Sequence, residues 1–205
     1  MINGLLFAAI CASAEFYSFD CITNNNIDNA AIGEAQLGLT VKQSTTNDRQ
    51  IVFTFSNNGS EASSICDIYF EDAKPVDLVF DHFDQSNGVE FTVGANPAKL
   101  PGGKNVSFST AYSYDSDSPR QPNGINPGES LDIIFDYVTS QDYNTNYKSI
   151  IASLNSSDLR VGIHVQGFNR DGSESFVNSV PEPTTTALLG ISLLLLGFLP
   201  KRKKR

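Results

Sequence analysis

The side chains that could carry chemistry are few. Nucleophilic catalysis needs a Ser or Cys with a base in reach, and the sequence holds two histidines, His82 and His164, with no Gly-x-Ser-x-Gly elbow. His164 lies in "LRVGIHVQGF", where Val161, Ile163 and Val165 alternate with polar neighbours. Strand alternation puts the three apolar side chains on one face and Arg160, His164 and Gln166 on the other, with Phe168 at the end. Such a stripe is a candidate ligand face. Gln and His would hydrogen-bond a sugar and Phe168 would stack on its ring. A solvated strand face gives the same pattern.

Acidic side chains offer a second chemistry. Asp81 and Asp84 flank His82, with Asp77 upstream; Asp115 and Asp117 share a loop, as do Glu71 and Asp72. Oxygen donors of this kind suit Ca²⁺ better than Zn²⁺, but none follows an EF-hand spacing, and Asp in turns explains them equally well. The reading is therefore no cofactor, with Ca²⁺ as the one metal the ligand types fit. Paired carboxylates could also hydrolyse glycosides. Tryptophan, the usual sugar platform, is missing from the composition.

Periodicity places these residues on β structure. Leu37, Leu39 and Val41 fall on one face of "AQLGLTVKQ", and Ile51, Phe53 and Phe55 on one face of "RQIVFTFSN". Further short runs are "SSICDIYFED", "VDLVFD", "GVEFTV", "NVSFST", "SLDIIFDYV", "LRVGIHVQGF" and "ESFVN", split by Asn, Gly, Asp and Pro turns. Strands without a βα rhythm predict an all-β body, a two-sheet antiparallel sandwich or jelly roll. Its expected core includes Phe53, Phe55, Ile133, Phe135, Val161, Ile163 and Val165. One helix is expected in "NTNYKSIIASLNSSD", where Tyr147, Ile150, Ile151 and Leu154 form a stripe after Asn144 or Thr145 as N-cap.

Charge and the two ends bound the setting. Between Glu15 and Val180 there are nine basic and 22 acidic residues, hence a net charge of −13. That field repels nucleic acid and anionic lipid. At the start, an apolar run from Leu5 to Cys11 precedes Ala12-Ser13-Ala14, the small-x-small pattern of a signal peptide cleaved after Ala14. Export would leave Cys21 and Cys66 as a candidate disulfide or as two separate thiols, with two free thiols expected. At the other end, Thr184–Pro200 is 17 uncharged residues, at the short edge of the roughly 17–25 needed for a transmembrane helix. "KRKKR" follows, and basic residues beside a span stay cytoplasmic, so the body 15–178 would lie outside the cytoplasm. Residues 179–183 form the linker, and Pro181-Glu182-Pro183 within it should be rigid and extended.

Signal peptide, Pro-Glu-Pro, apolar span and basic tail, in that order, resemble the PEP-CTERM sorting signal. The resemblance covers the last 26 residues. It implies a sorting role for Pro181, Glu182 and Pro183, an anchor in 184–200, and exosortase, a membrane protease or transpeptidase, as partner. It also implies passage through the inner membrane to the cell surface or extracellular matrix. The body stretches "YSFDCITNNN", "VFTFSNNGSEASSICDIYFED" and "LRVGIHVQGFNRDGSESFVN" resemble a recurrent group of PEP-CTERM surface proteins without an assigned activity. The expected protein is thus a non-enzymatic surface component associated with extracellular polysaccharide; the alternatives are a carbohydrate-binding module and, behind it, a hydrolase.

Overall fold

The computed structural model describes residues 14–71, 78–138, 142–169 and 171–180. Ten strands follow one another with helices inserted: β1 (Ala14–Cys21), α1 (Ile27–Gln36), β2 (Leu37–Gln43), β3 (Gln50–Asn57), β4 (Ser64–Phe70), β5 (Leu78–Gln85), β6 (Phe91–Val93), β7 (Tyr112–Ser116), α2 (Arg120–Asn123), β8 (Ser130–Tyr137), α3 (Tyr143–Ser156), β9 (Val161–Gln166) and β10 (Glu174–Asn178). All strand pairs are antiparallel. The all-β expectation holds.

Where two separate sheets are expected, the structure has one. The strand order is β5-β8-β3-β2-β1-β10-β9-β4-β7-β6. Strand β1 makes the join: its first half, Ala14–Ser18, pairs with β2, and its second half, Phe19–Cys21, with β10. The edge strands β5 and β6 are consecutive in the chain, and Gln85 Oε1 accepts the Phe91 N–H at 2.6 Å, so the sheet curls almost into a barrel.

The interior is the space between the two halves of that curl. All seven core residues expected from alternation are at most 1% exposed. Phe70 of β4 is the hub. Its ring meets Phe53, Phe135, Tyr114 and Phe55 edge-on, with centroids 5.2, 5.2, 5.9 and 6.1 Å away. The edge-to-face arrangement sets the positive ring edge against a negative face, and it ties β4 and β7 to β3 and β8 across the interior.

Helix α3 forms where expected and buries Tyr147, Ile150 and Leu154. Its cap differs: Asp142, not Asn144 or Thr145, accepts the Thr145 N–H at 3.0 Å. Two helices are additional. In α1, Asn26 caps the first turn through the N–H groups of Asp28 and Asn29. Gly33 lets this helix approach the sheet, because a Cβ there would lie 2.2 Å from the Phe176 ring. The run "NVSFST" is not a strand. Its first two residues end a 3₁₀ turn, Gly103–Val106, set between left-handed Gly102 and Ser107, and the run belongs to a strap, 94–111, that crosses the outer face of β4 and β9. Among the described residues no helix is long and apolar enough to cross a membrane; the span expected at 184–200 and residues 1–13 of the expected leader 1–14 lie outside them, while Ala14 opens β1 and pairs with Lys42.

Replacing Phe70 by Ala removes the hub ring, and the expected cost is about 3–5 kcal/mol. Val93→Thr on the exposed edge strand is expected to stay within about 0.5 kcal/mol of wild type. Denaturant unfolding followed by near-ultraviolet circular dichroism measures both, and equal stabilities for the two variants would contradict the hub role.

Candidate functional site

Reactive side chains gather on the outer face of β9, β4 and β7. Register aligns His164 with Asp67, and Asp67 with Asp115. A β-bulge between Ile65 and Asp67 sets the phase of β4: Asp67 and Tyr69 turn outward while Ile68 and Phe70 turn into the core. His164 Nδ1 lies 2.9 Å from Asp67 Oδ2. Arg120 Nη2 donates to Asp115 Oδ2 at 3.0 Å, and Nη1 stands 3.7 Å from Asp67 Oδ1. Asp67 is fully enclosed and His164 is 9% exposed.

Two carboxylates side by side cannot both ionise cheaply. Burial, then the hydrogen bond shared with Asp67 and the charge of that carboxylate, push the Asp115 carboxyl up to about 6, against the pull of Arg120. Each of the two acids also has one buried oxygen, Oδ1, with no other hydrogen-bond partner. A proton held between the two carboxyl groups answers both needs.

The same row continues to Ser175 of β10, which pairs with His164. Ser, His and Asp are the residue types of an acyl-transfer site. Here Ser175 is fully buried, and its Oγ has no hydrogen-bond partner, so it lies out of bonding reach of His164. A substrate carbonyl has no approach to Ser175.

Of the four residues expected to share a ligand face, Phe168 leaves it, and Arg160 and His164 are engaged within the chain. Arg160 grips Glu71 with Nε and Nη2, at 2.6 and 2.9 Å, and donates to the carbonyls of Val106 and Ser107. Its guanidinium lies 5.5 Å from the centre of the Phe108 ring. Arg160 thus pins the strap. His164 is buried against Asp67. Gln166 remains half-buried. Phe168 is turned into the main core, 4% exposed, because Gly167 has φ +71° and breaks the alternation. A ring in the core cannot stack on a sugar, and an arginine locked to Glu71 is not offered to one.

The acidic candidates for Ca²⁺ also have separate partners. Glu71 belongs to Arg160, Asp115 to Arg120, and Asp117 Oδ1 accepts the Thr92 hydroxyl at 3.1 Å. Asp81 Oδ2 lies 2.7 Å from His82 Nδ1 and accepts the Gln50 amide. Asp84 stands opposite Asp132 in the register, and Asp132 is paired with Lys42 at 3.5 Å. Among the described residues no group of three or more His, Cys, Asp or Glu side chains comes together as a metal site. Asp72 and Asp77 lie outside the described residues, as do Pro181, Glu182 and Pro183.

Sequence reasoning passed over Glu174. It is 1% exposed and accepts four hydrogens: Thr23 Oγ1 at 2.5 Å, the N–H groups of Asn25 and Asn26 at 3.0 and 2.6 Å, and the Cys21 thiol at 3.6 Å. It therefore locks the turn into α1. The local run "ESFVN" mixes polar and apolar side chains and gives no signal for this.

Cys21 and Cys66 are both free thiols. Their strands, β1 and β4, are separated by β10 and β9. Three strand spacings amount to about 14 Å, beyond the ~7 Å that a disulfide tolerates between Cα atoms. Burial pushes the Cys66 thiol up to about 11 and raises that of Cys21 as well.

Comparison with family models, with curated proteins and with solved structures finds no match for the chain.

Two predictions follow from the geometry. A carboxyl group whose folded value is raised from 3.8 to about 6 contributes stability below pH 3.8 that is lost as pH rises through 6. The full shift corresponds to ~3 kcal/mol; partial solvent access reduces the expected effect to about 1 kcal/mol. Asp115→Asn keeps the neutral form at every pH. Its thermal stability relative to wild type should rise between pH 4 and pH 6.5 and then level off, whereas a pH-independent difference would exclude the shared proton. For the thiols, mass spectrometry after alkylation should find two labels per exported chain under denaturing, non-reducing conditions. Under native conditions Cys66 should stay unlabelled; a single mass corresponding to no label in denaturant would establish a disulfide instead.

Proposed function

We propose that this chain is an exported surface or matrix protein, held in the inner membrane by residues 184–200 and processed by an exosortase at Pro181-Glu182-Pro183. The observation that carries the reading is the order of four sequence parts: a leader ending in Ala12-Ser13-Ala14, the Pro-Glu-Pro tripeptide, an uncharged run and "KRKKR". Cleavage after Ala14 is compatible with the fold, since it leaves every residue of β1 that pairs with β10. The last described residue, Val180, follows Ser179, whose N–H donates to Ser18 O at 2.8 Å. The tripeptide thus begins immediately beyond the body.

The body acts as a non-enzymatic scaffold in or near extracellular polysaccharide. What supports this is the employment of its reactive side chains: His164, Asp67, Asp115, Arg160 and Glu174 each bind another part of the chain. The net charge of −13 excludes a polyanion as the natural partner at long range.

The test is processing. Glu182→Ala removes the tripeptide's carboxylate and leaves the span and basic tail intact, so insertion and orientation are retained. In a host with an exosortase, the wild type should lose its tail and reach the surface, while Glu182→Ala accumulates uncleaved in the inner membrane. Replacing "KRKKR" by five Ser should instead weaken orientation of the span. Equal mature masses and equal surface delivery for wild type and Glu182→Ala would refute recognition of the tripeptide.

A further inference from the structure

An open cleft of about 600 Å³ lies at one end of β4 and β9, between the β3–β4 loop, the segment from α2 to β8, and the β9–β10 loop. The size falls within the roughly 300–1,000 Å³ of small-molecule sites. None of the ten residues that line it is charged, on a body where acids far outnumber bases. Its walls instead present the amides of Gln121, Asn126 and Asn169, the hydroxyl of Ser60, and the pyrrolidine rings of Pro122 and Pro127.

We propose that this cleft binds a neutral saccharide. Neutral amides and hydroxyls can exchange hydrogen bonds with sugar hydroxyls without desolvating a charge, which would cost far more. Proline rings supply the C–H surface that the apolar face of a pyranose needs. The walls are fixed in advance, which lowers the ordering cost of binding. Asn57 Nδ2 donates to the carbonyls of Ser63 and Ile125 at 3.1 and 3.3 Å. Gln36 clamps Glu61 and Ser63. Ser64 Oγ donates to Gln121 O at 2.9 Å. Asn126 Nδ2 donates to Gly124 O at 3.0 Å, to Glu129 Oε2 at 3.0 Å and to Pro122 O at 3.3 Å. By contrast, the side chains of Ser60, Gln121 and Asn169 have no hydrogen-bond partner among the described residues and are exposed. The built frame thus ends in free neutral donors and acceptors.

The proposal deepens the reading of the body as a polysaccharide-associated scaffold and rests on it for the ligand class. The probes are cellotetraose and maltotetraose as neutral sugars and tetragalacturonate as an anionic one, titrated by NMR into the full chain in a detergent without a sugar headgroup. At least one neutral probe should bind with a dissociation constant tighter than about 10 mM. Gln121→Ala with Asn169→Ala, both at exposed positions, should weaken it at least tenfold, and His164→Ala should leave the affinity unchanged wherever the variant remains folded. The proposal is overturned by the absence of binding to both neutral probes, by preference for the anionic probe, or by binding that the double substitution does not weaken. Failure of the sorting reading would instead appear in the mass and location of the Glu182 variant and would leave these titrations untouched.

Discussion

The part of the sheet formed by β10, β9 and β4 is covered on both faces, and the rest of the structure answers to that constraint. A strand with one wet face can put charges on it freely. A strand with two dry faces must pair each charge where it stands, since an unpaired buried charge costs several kcal/mol. Three polar staples meet the demand. Asp67, Asp115, Arg120 and His164 join three strands to the segment after β7. Arg160 with Glu71 fastens the strap 94–111, and Glu174 fastens the turn into α1. The strap is held further by Tyr69, whose hydroxyl donates to Pro97 O, and by Asn105, whose amide donates to Ile22 O. Cover accounts for the partner that each of these charged side chains has within the chain.

Much of the fold is legible in the sequence because β2, β3, β8 and β9 alternate cleanly, and alternation reports which side of a strand faces the densest packing. The same rule cannot say what lies over the other side. His164 is outward by alternation, as expected, yet enclosed, held against the buried Asp67 of the neighbouring strand. Arg160 and Glu71 are 89 residues apart, and no local pattern links them. Phe168 is misjudged by one residue, Gly167, whose positive φ ends the alternation. Strand β7 was hidden because "YSYDS" carries two tyrosines among polar residues and sits in a turn-rich stretch. Helix α1 was hidden by Gly33, which weakens its propensity but is needed for its contact with Phe176.

Strand β1 deserves comparison with β5 and β6. It belongs to both halves of the curl, so loosening it separates the sheet into two pieces, each with a new open edge. The native edges are short or bulged: β6 has three residues, and β5 carries a register shift between Phe80 and His82. The fold keeps its longest regular pairings, β2–β3 and β3–β8, in the interior of the sheet.

The chain leaves the body from β10, which lies between β1 and β9 and not at an edge. Tension applied beyond Val180 therefore runs along a strand gripped on both sides. Antiparallel hydrogen bonds stand perpendicular to the strand axis, so such a pull loads them together in shear and cannot open them one at a time like a zipper. A tether on β6 would peel; a tether after β10 makes the body a mechanically resistant end-fitting for whatever holds its C-terminal side.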